Sequence, residues 1–121
     1  MIHIDHITIP AQDVIGAAQF LCDLLDLPKA EPEGPDSEIR CVTVSADSSV
    51  LYYPSQTSSS HHVAFRVDVK AFPHIVDRLR EKSIPFGNDP EENNGQTTDP
   101  QGGHGRVYVH DPNGHVYEVL A

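Results

Sequence analysis

The sequence predicts an α+β fold built from two tandem β-α-β-β-β modules, and three observations carry that prediction. Short runs alternate apolar and polar residues with the period of a strand. Two longer runs place apolar residues at helical spacing. The order strand, helix, strands then occurs twice within 121 residues, which is what duplication of a single unit produces.

The first strand is read from Ile2 to Ile9, where Ile7 and Ile9 face one way and His6 and Thr8 the other, and Pro10 is expected to stop it. Asp13 has the side chain of an N-cap. Val14, Ala17, Ala18, Leu21, Leu24 and Leu25 follow at helical spacing until Pro28 closes the element. Lys29 to Glu38 is rich in proline and acid and is read as an exposed loop. Ile39 to Ser45 and Val50 to Tyr53 make a hairpin across Ala46-Asp47-Ser48-Ser49. Pro54 to Ser60 is small and polar, as a connector is. Val63, Phe65 and Val67 then alternate with His62, Ala64 and Arg66 on a strand, and Phe72, Ile75, Val76 and Leu79 mark the second helix. Ile84 to Phe86 is a short strand and Gly87 to Gly105 a long acidic loop. Arg106 to His110 and His115 to Leu120 are strands joined by the tight turn Asp111-Pro112-Asn113-Gly114.

On this reading residues 1–121 are one domain, with a first module over about 1–55, a connector over about 54–60 and a second module over about 61–121. The modules supply eight short strands in curved mixed sheets around a cavity, with the helices outside. Ile7, Ile9, Val63, Phe65, Val67, Val107, Val109, Tyr117 and Val119 are expected to pack on the helices. The opposite faces carry His6, Thr8, His62, Arg66, Arg106, Tyr108, His110 and Glu118, too many polar groups for a second dry core, so a wet cavity is expected.

Eight Lys or Arg against 18 Asp or Glu give a formal charge of −10 with the histidines neutral. So few cations exclude duplex nucleic acid and disfavour an anionic membrane as partner. No apolar run is long enough to span a bilayer, and Met1-Ile2-His3-Ile4-Asp5-His6 lacks the regions of a signal peptide, so a cytoplasmic location is expected. Cys22 and Cys41 lack the spacing of a zinc knuckle and are expected to be buried reduced thiols. The charge is uneven, −7 over residues 1–60 and −3 over 61–121, and much of it lies in loops, so a small anionic substrate is compatible with it.

Eight histidines are the chemical surplus of the chain, and neutral imidazole is the commonest protein metal ligand. His6 precedes the first helix by about the same interval as His62 precedes the second, 56 residues on, and Glu118 shares their cavity side. Together they are the parts of a 2-His-1-carboxylate site for Fe, Mn, Ni, Co or Zn, which leaves positions open for substrate. His3 and His61 fall on the other faces by parity. His110, Tyr108 and Arg106 are the catalytic candidates on the cavity side: a proton carrier, a phenol donor and an anchor for an anionic group. Arg66 and Tyr52 are further lining candidates. His104 and His115 are read as solvent groups beside loops, His74 as lying on the polar side of its helix, and Asp89-Pro90-Glu91-Glu92 as a solubilising run.

His6 in an opening strand, His62-Val63-Ala64-Phe65 opening the second half, and Asp111-Pro112-Asn113-Gly114-His115-Val116-Tyr117-Glu118 near the end resemble the vicinal oxygen chelate superfamily. That superfamily includes glyoxalase I, extradiol dioxygenases, fosfomycin-resistance proteins and bleomycin-resistance proteins. The likeness runs the length of the chain, and D-P-x-G-x-x-x-E is its most specific part. The resemblance implies paired modules, usually a homodimer, a divalent metal held by His6, His62 and Glu118, and a small substrate that chelates through adjacent oxygens. Val50-Leu51-Tyr52-Tyr53 lacks the carboxylate that glyoxalase I-like members place there, so dioxygenase-like chemistry is expected ahead of lyase or isomerase chemistry. The alternative is a metal-free protein that binds or sequesters a small molecule.

Overall fold

The computed structural model describes residues 1–57, 59–98 and 105–121, so His104, Ser58 of the connector and part of the loop before Arg106 lie outside the described residues. The chain forms two compact units, Met1–Ser59 and Ser60–Ala121.

The first unit contains β1 (His6–Ala11), α1 (Val14–Leu25), β2 (Glu31–Glu33), β3 (Ile39–Ser45) and β4 (Ser48–Pro54). Its sheet has the order β1-β4-β3-β2, with β1 parallel to β4 and the other neighbours antiparallel. Asp13 caps α1, its carboxylate accepting from the Gly16 amide at 2.9 Å. The apolar stripe of α1 lies across β1, β3 and β4 and is buried there. Burial pushes the Cys22 thiol up from its ordinary pKa, and the thiol donates to the Pro28 carbonyl at 3.3 Å.

Several sequence expectations are corrected in this unit. β1 begins at His6 rather than Ile2, since Ile2 and Ile4 are exposed and have no strand beside them. It also runs on through Pro10. The Asp5 and Ala11 carbonyls accept from Ser49 and Ser55, so odd-numbered residues face β4 and the nitrogen of Pro10 points away from β4, where no bond of that ladder is lost. Lys29 to Glu38 is not all loop, because β2 forms within it through backbone bonds alone. Its three residues are exposed, so there was no alternation to read, and their charge discourages pairing at that edge. Tyr52 does not line an open face: it pairs with Ile9, points to the helix side and is fully buried. Cys41 is only partly buried.

The second unit repeats the plan with β5 (His62–Arg66), α2 (Ala71–Glu81), β6 (Phe86–Gly87), β7 (Arg106–His110) and β8 (Val116–Leu120) in the order β5-β8-β7-β6. Phe65, Phe86, Val107, Val109, Tyr117 and Val119 are buried, as are Phe72, Ile75, Val76 and Leu79 of α2. Gly105 is required where it stands, because a Cβ there would collide with the Phe72 ring. The Arg80 guanidinium lies over the Phe86 ring at 5.7 Å, tying α2 to β6. Among the described residues no helix is long and apolar enough to cross a membrane.

The β7–β8 turn is built around the buried Asp111 carboxylate. Its Oδ1 accepts from the amides of Asn113 at 2.9 Å and His115 at 2.8 Å, and its Oδ2 accepts from the Tyr117 hydroxyl at 3.1 Å. Gly114, at φ +85°, closes the turn by donating to the Asp111 carbonyl.

Two stability predictions follow from this packing. Leu21 is 0% exposed, so Leu21→Ala should cost about 3 kcal/mol through the cavity it leaves. Asp111→Ala strands three donors and should cost about 2–4 kcal/mol. Urea denaturation of each variant against the parent measures both.

Candidate metal centre

Strand pairing decides which side chains share the open face of the second sheet. His62 and His110 both pair with Val116, Ala64 and Tyr108 with Glu118, and Arg66 and Arg106 with Leu120. Paired residues point to the same side of a sheet, so His62, His110, Glu118, Tyr108, Arg66 and Arg106 all stand on one face, opposite the buried Val107, Val109, Tyr117 and Val119. This is the division of faces that the sequence alternation predicts.

Glu118 is at the centre of that face. It stands on β8 between β5 and β7, and its side chain is 13% exposed. Its Oε1 lies 3.0 Å from His62 Nε2 and its Oε2 lies 3.2 Å from Arg106 Nε. Ala64, directly opposite on β5, is small enough to let the His62 ring reach across diagonally. The Arg106 N–H is not directed at the carboxylate, and Nε has no hydrogen-bond partner among the described residues, so the attraction to Glu118 is one of charge. Tyr108 sets its ring edge-on to His62, with centroids 6.0 Å apart and planes at 84°. His110 Nδ1 is shielded from solvent and has no hydrogen-bond partner among the described residues.

His6 occupies the matching position in the first unit. It pairs with Ser49 as His62 pairs with Val116, and Thr8 pairs with Leu51 as Ala64 pairs with Glu118. Leu51 therefore stands where the second unit has its carboxylate. His6 Nδ1 lies 2.7 Å from Asp5 Oδ2, where an ionised carboxylate can only accept, so in the neutral ring Nε2 is the nitrogen with the lone pair, as in carboxylate-bound metal histidines. His3 instead lies near Asp47, at 3.3 Å. Among the described residues no group of three or more His, Cys, Asp or Glu side chains gathers in one place.

His115 corrects the sequence reading. It is not a solvent group but 0% exposed, and its Nδ1 accepts from the His61 amide at 3.0 Å. The His61 ring stands edge-on to it, with centroids 5.3 Å apart. The signal was present in the sequence: the parity that turns Tyr117 and Val119 inward turns His115 inward too. His74 is exposed, as its helix pattern indicates.

No protein-family model matches the chain, and no curated protein matches it. Solved structures do. Over 100% of this chain and 96% of that one, it is 30% identical to Oxidase ChaP-H1, with a TM-score of 0.88. Over 99% of this chain and 93% of that one, it is 28% identical to Oxidase ChaP-H2, with a TM-score of 0.87. A lactoylglutathione lyase from Agrobacterium tumefaciens shares the fold at 19% identity and a TM-score of 0.74, over 98% of this chain and 92% of that one. Two β-α-β-β-β modules of like topology, with the terminal motif on the last strand and full-length similarity to such structures, place the chain: it belongs to the vicinal oxygen chelate superfamily.

Proposed function

We propose that the chain is a metal-dependent enzyme of oxidase or dioxygenase type, acting on a small substrate that chelates through adjacent oxygens. The observation that carries the reading is the convergence of His62 Nε2 and Glu118 Oε1 on the open face, 3.0 Å apart. A neutral imidazole and a carboxylate are a donor set that divalent Fe, Mn, Ni, Co or Zn accepts. His6 is the third donor, with Asp5 leaving its Nε2 lone pair for a metal. The oxidase named at 30% identity supports oxidative chemistry ahead of a lyase or isomerase reaction.

A divalent metal held by His6, His62 and Glu118 would supply Lewis acidity to the substrate's paired oxygens. The remaining steps fall to this chain's own residues. His110, on the same face as His62 and Glu118, takes the proton of a substrate hydroxyl. Tyr108 presents its phenol on the same face and returns a proton. Arg106 holds the Glu118 carboxylate by charge and leaves its terminal amino groups for an anionic substrate group. A homodimer and a cytoplasmic location complete the proposal.

One observation favours a second reading. His62 and Arg106 already flank Glu118, an arrangement that also suits a metal-free protein that binds a small molecule unchanged. Titration with Co(II), Fe(II) and Mn(II) separates the two. The metal reading expects about one ion per chain, with affinity lowered at least about 100-fold in His62→Ala or Glu118→Gln. Less than about 0.1 ion per chain, unaltered by His62→Ala, overturns it.

Oxygen uptake over a panel of small catechols and hydroxyquinones tests the chemistry. Tyr108→Phe and His110→Gln should each lower kcat by about 100-fold or more while metal content is kept. Parent-like turnover in both variants removes those roles.

A further inference from the structure

Edge strand β5 carries His62, so what holds the start of that strand decides where the imidazole sits. Along the parallel β5–β8 ladder the bonds follow one rule. The Val67 amide donates to the Leu120 carbonyl, and the His61 carbonyl accepts from the Val116 amide. Continued by the same step, the His61 amide would donate to the Gly114 carbonyl. That carbonyl accepts from the Ser60 hydroxyl instead, at 2.9 Å. The His115 imidazole takes its place, its Nδ1 accepting the His61 amide proton at 3.0 Å.

His115 is itself held by the turn. Its amide donates to Asp111 Oδ1 and its carbonyl accepts from the Asp111 amide at 2.9 Å. A continuous set of contacts therefore runs from Asp111 through His115 to the His61 backbone, and the next residue is His62, at Glu118 Oε1. We infer that His115 is a positioning residue for the His62–Glu118 pair: its ring supplies the last rung of the ladder and so sets His62 in reach of Glu118. The inference rests on the metal reading above for its consequence, although the rung itself is independent of any metal.

Two substitutions separate positioning from mere packing. His115→Phe keeps the ring volume and loses the acceptor. His115→Asn restores an acceptor at the Nδ1 position and loses volume. The expected result is that His115→Phe weakens Co(II) binding about 10- to 100-fold and lowers the melting temperature less than His115→Asn does. His115→Asn should melt lower yet bind Co(II) within about threefold of the parent, because the acceptor sets the imidazole whatever the loss of packing. Co(II) affinity that follows the melting temperature across the two variants, or parent-like affinity in His115→Phe, overturns the inference.

Amide exchange at His61, followed by NMR, reads the rung without a metal. It should quicken at least about tenfold in His115→Phe and stay close to the parent in His115→Asn. Equal exchange in all three proteins overturns the rung. If the parent binds no Co(II), the metal reading falls, and the exchange measurement still decides whether His115 holds β5.

Discussion

A carboxylate withdrawn from water must receive hydrogen bonds or cations from its surroundings. Asp111 meets that demand by folding the β7–β8 turn around itself, taking two backbone amides and the Tyr117 hydroxyl. Because side chains alternate along a strand, the residue at which the turn closes decides which face every later residue occupies. A slip of one position would send Glu118 to the helix side and Tyr117 to the open face. The register of β8, the burial of His115 and the exposure of Glu118 to its partners all depend on this one solvated-by-protein carboxylate.

Glu118 poses the same electrostatic problem and meets it differently. Among the described residues no amide donates to it. A neutral or protonated imidazole and a guanidinium flank it on a half-open face. Such a carboxylate keeps the capacity to bind a further cation, whereas Asp111 has spent its oxygens on the fold. The two acids lie seven residues apart in one hairpin, and their surroundings rather than their chemistry separate structure from the proposed function.

The two modules show how duplicated topology can diverge in chemistry. Both sheets have the same strand order and both open with a histidine, but Leu51 occupies the position that Glu118 takes in the second. In the proposed reading the first module contributes His6 and its Asp5 support, and the second contributes the charged pair. In that reading the lack of a carboxylate at Leu51 favours oxidative chemistry over the glyoxalase I reaction.

Residue pattern alone encodes the two helices, the apolar faces of the strands and the shared face of His62, Tyr108, Arg106, His110 and Glu118. Period-2 and helical patterns are written in residue type and need no distant partner to be read. Pro10 within β1 and the short β2 were not legible, because edge pairing depends on which neighbour strand arrives and on which side. Tyr52 and His115 are buried because strand parity turns each ring inward, and parity outweighs a polar tip that the interior can satisfy. Which of the polar groups on one face touch depends on how the strands pair. That His62 meets Glu118, that Arg106 attends Glu118 by charge, and that His115 replaces a backbone carbonyl follow from strand register and turn geometry. The His62 and His115 contacts are set by bonds between segments about half the chain apart, which no local pattern encodes.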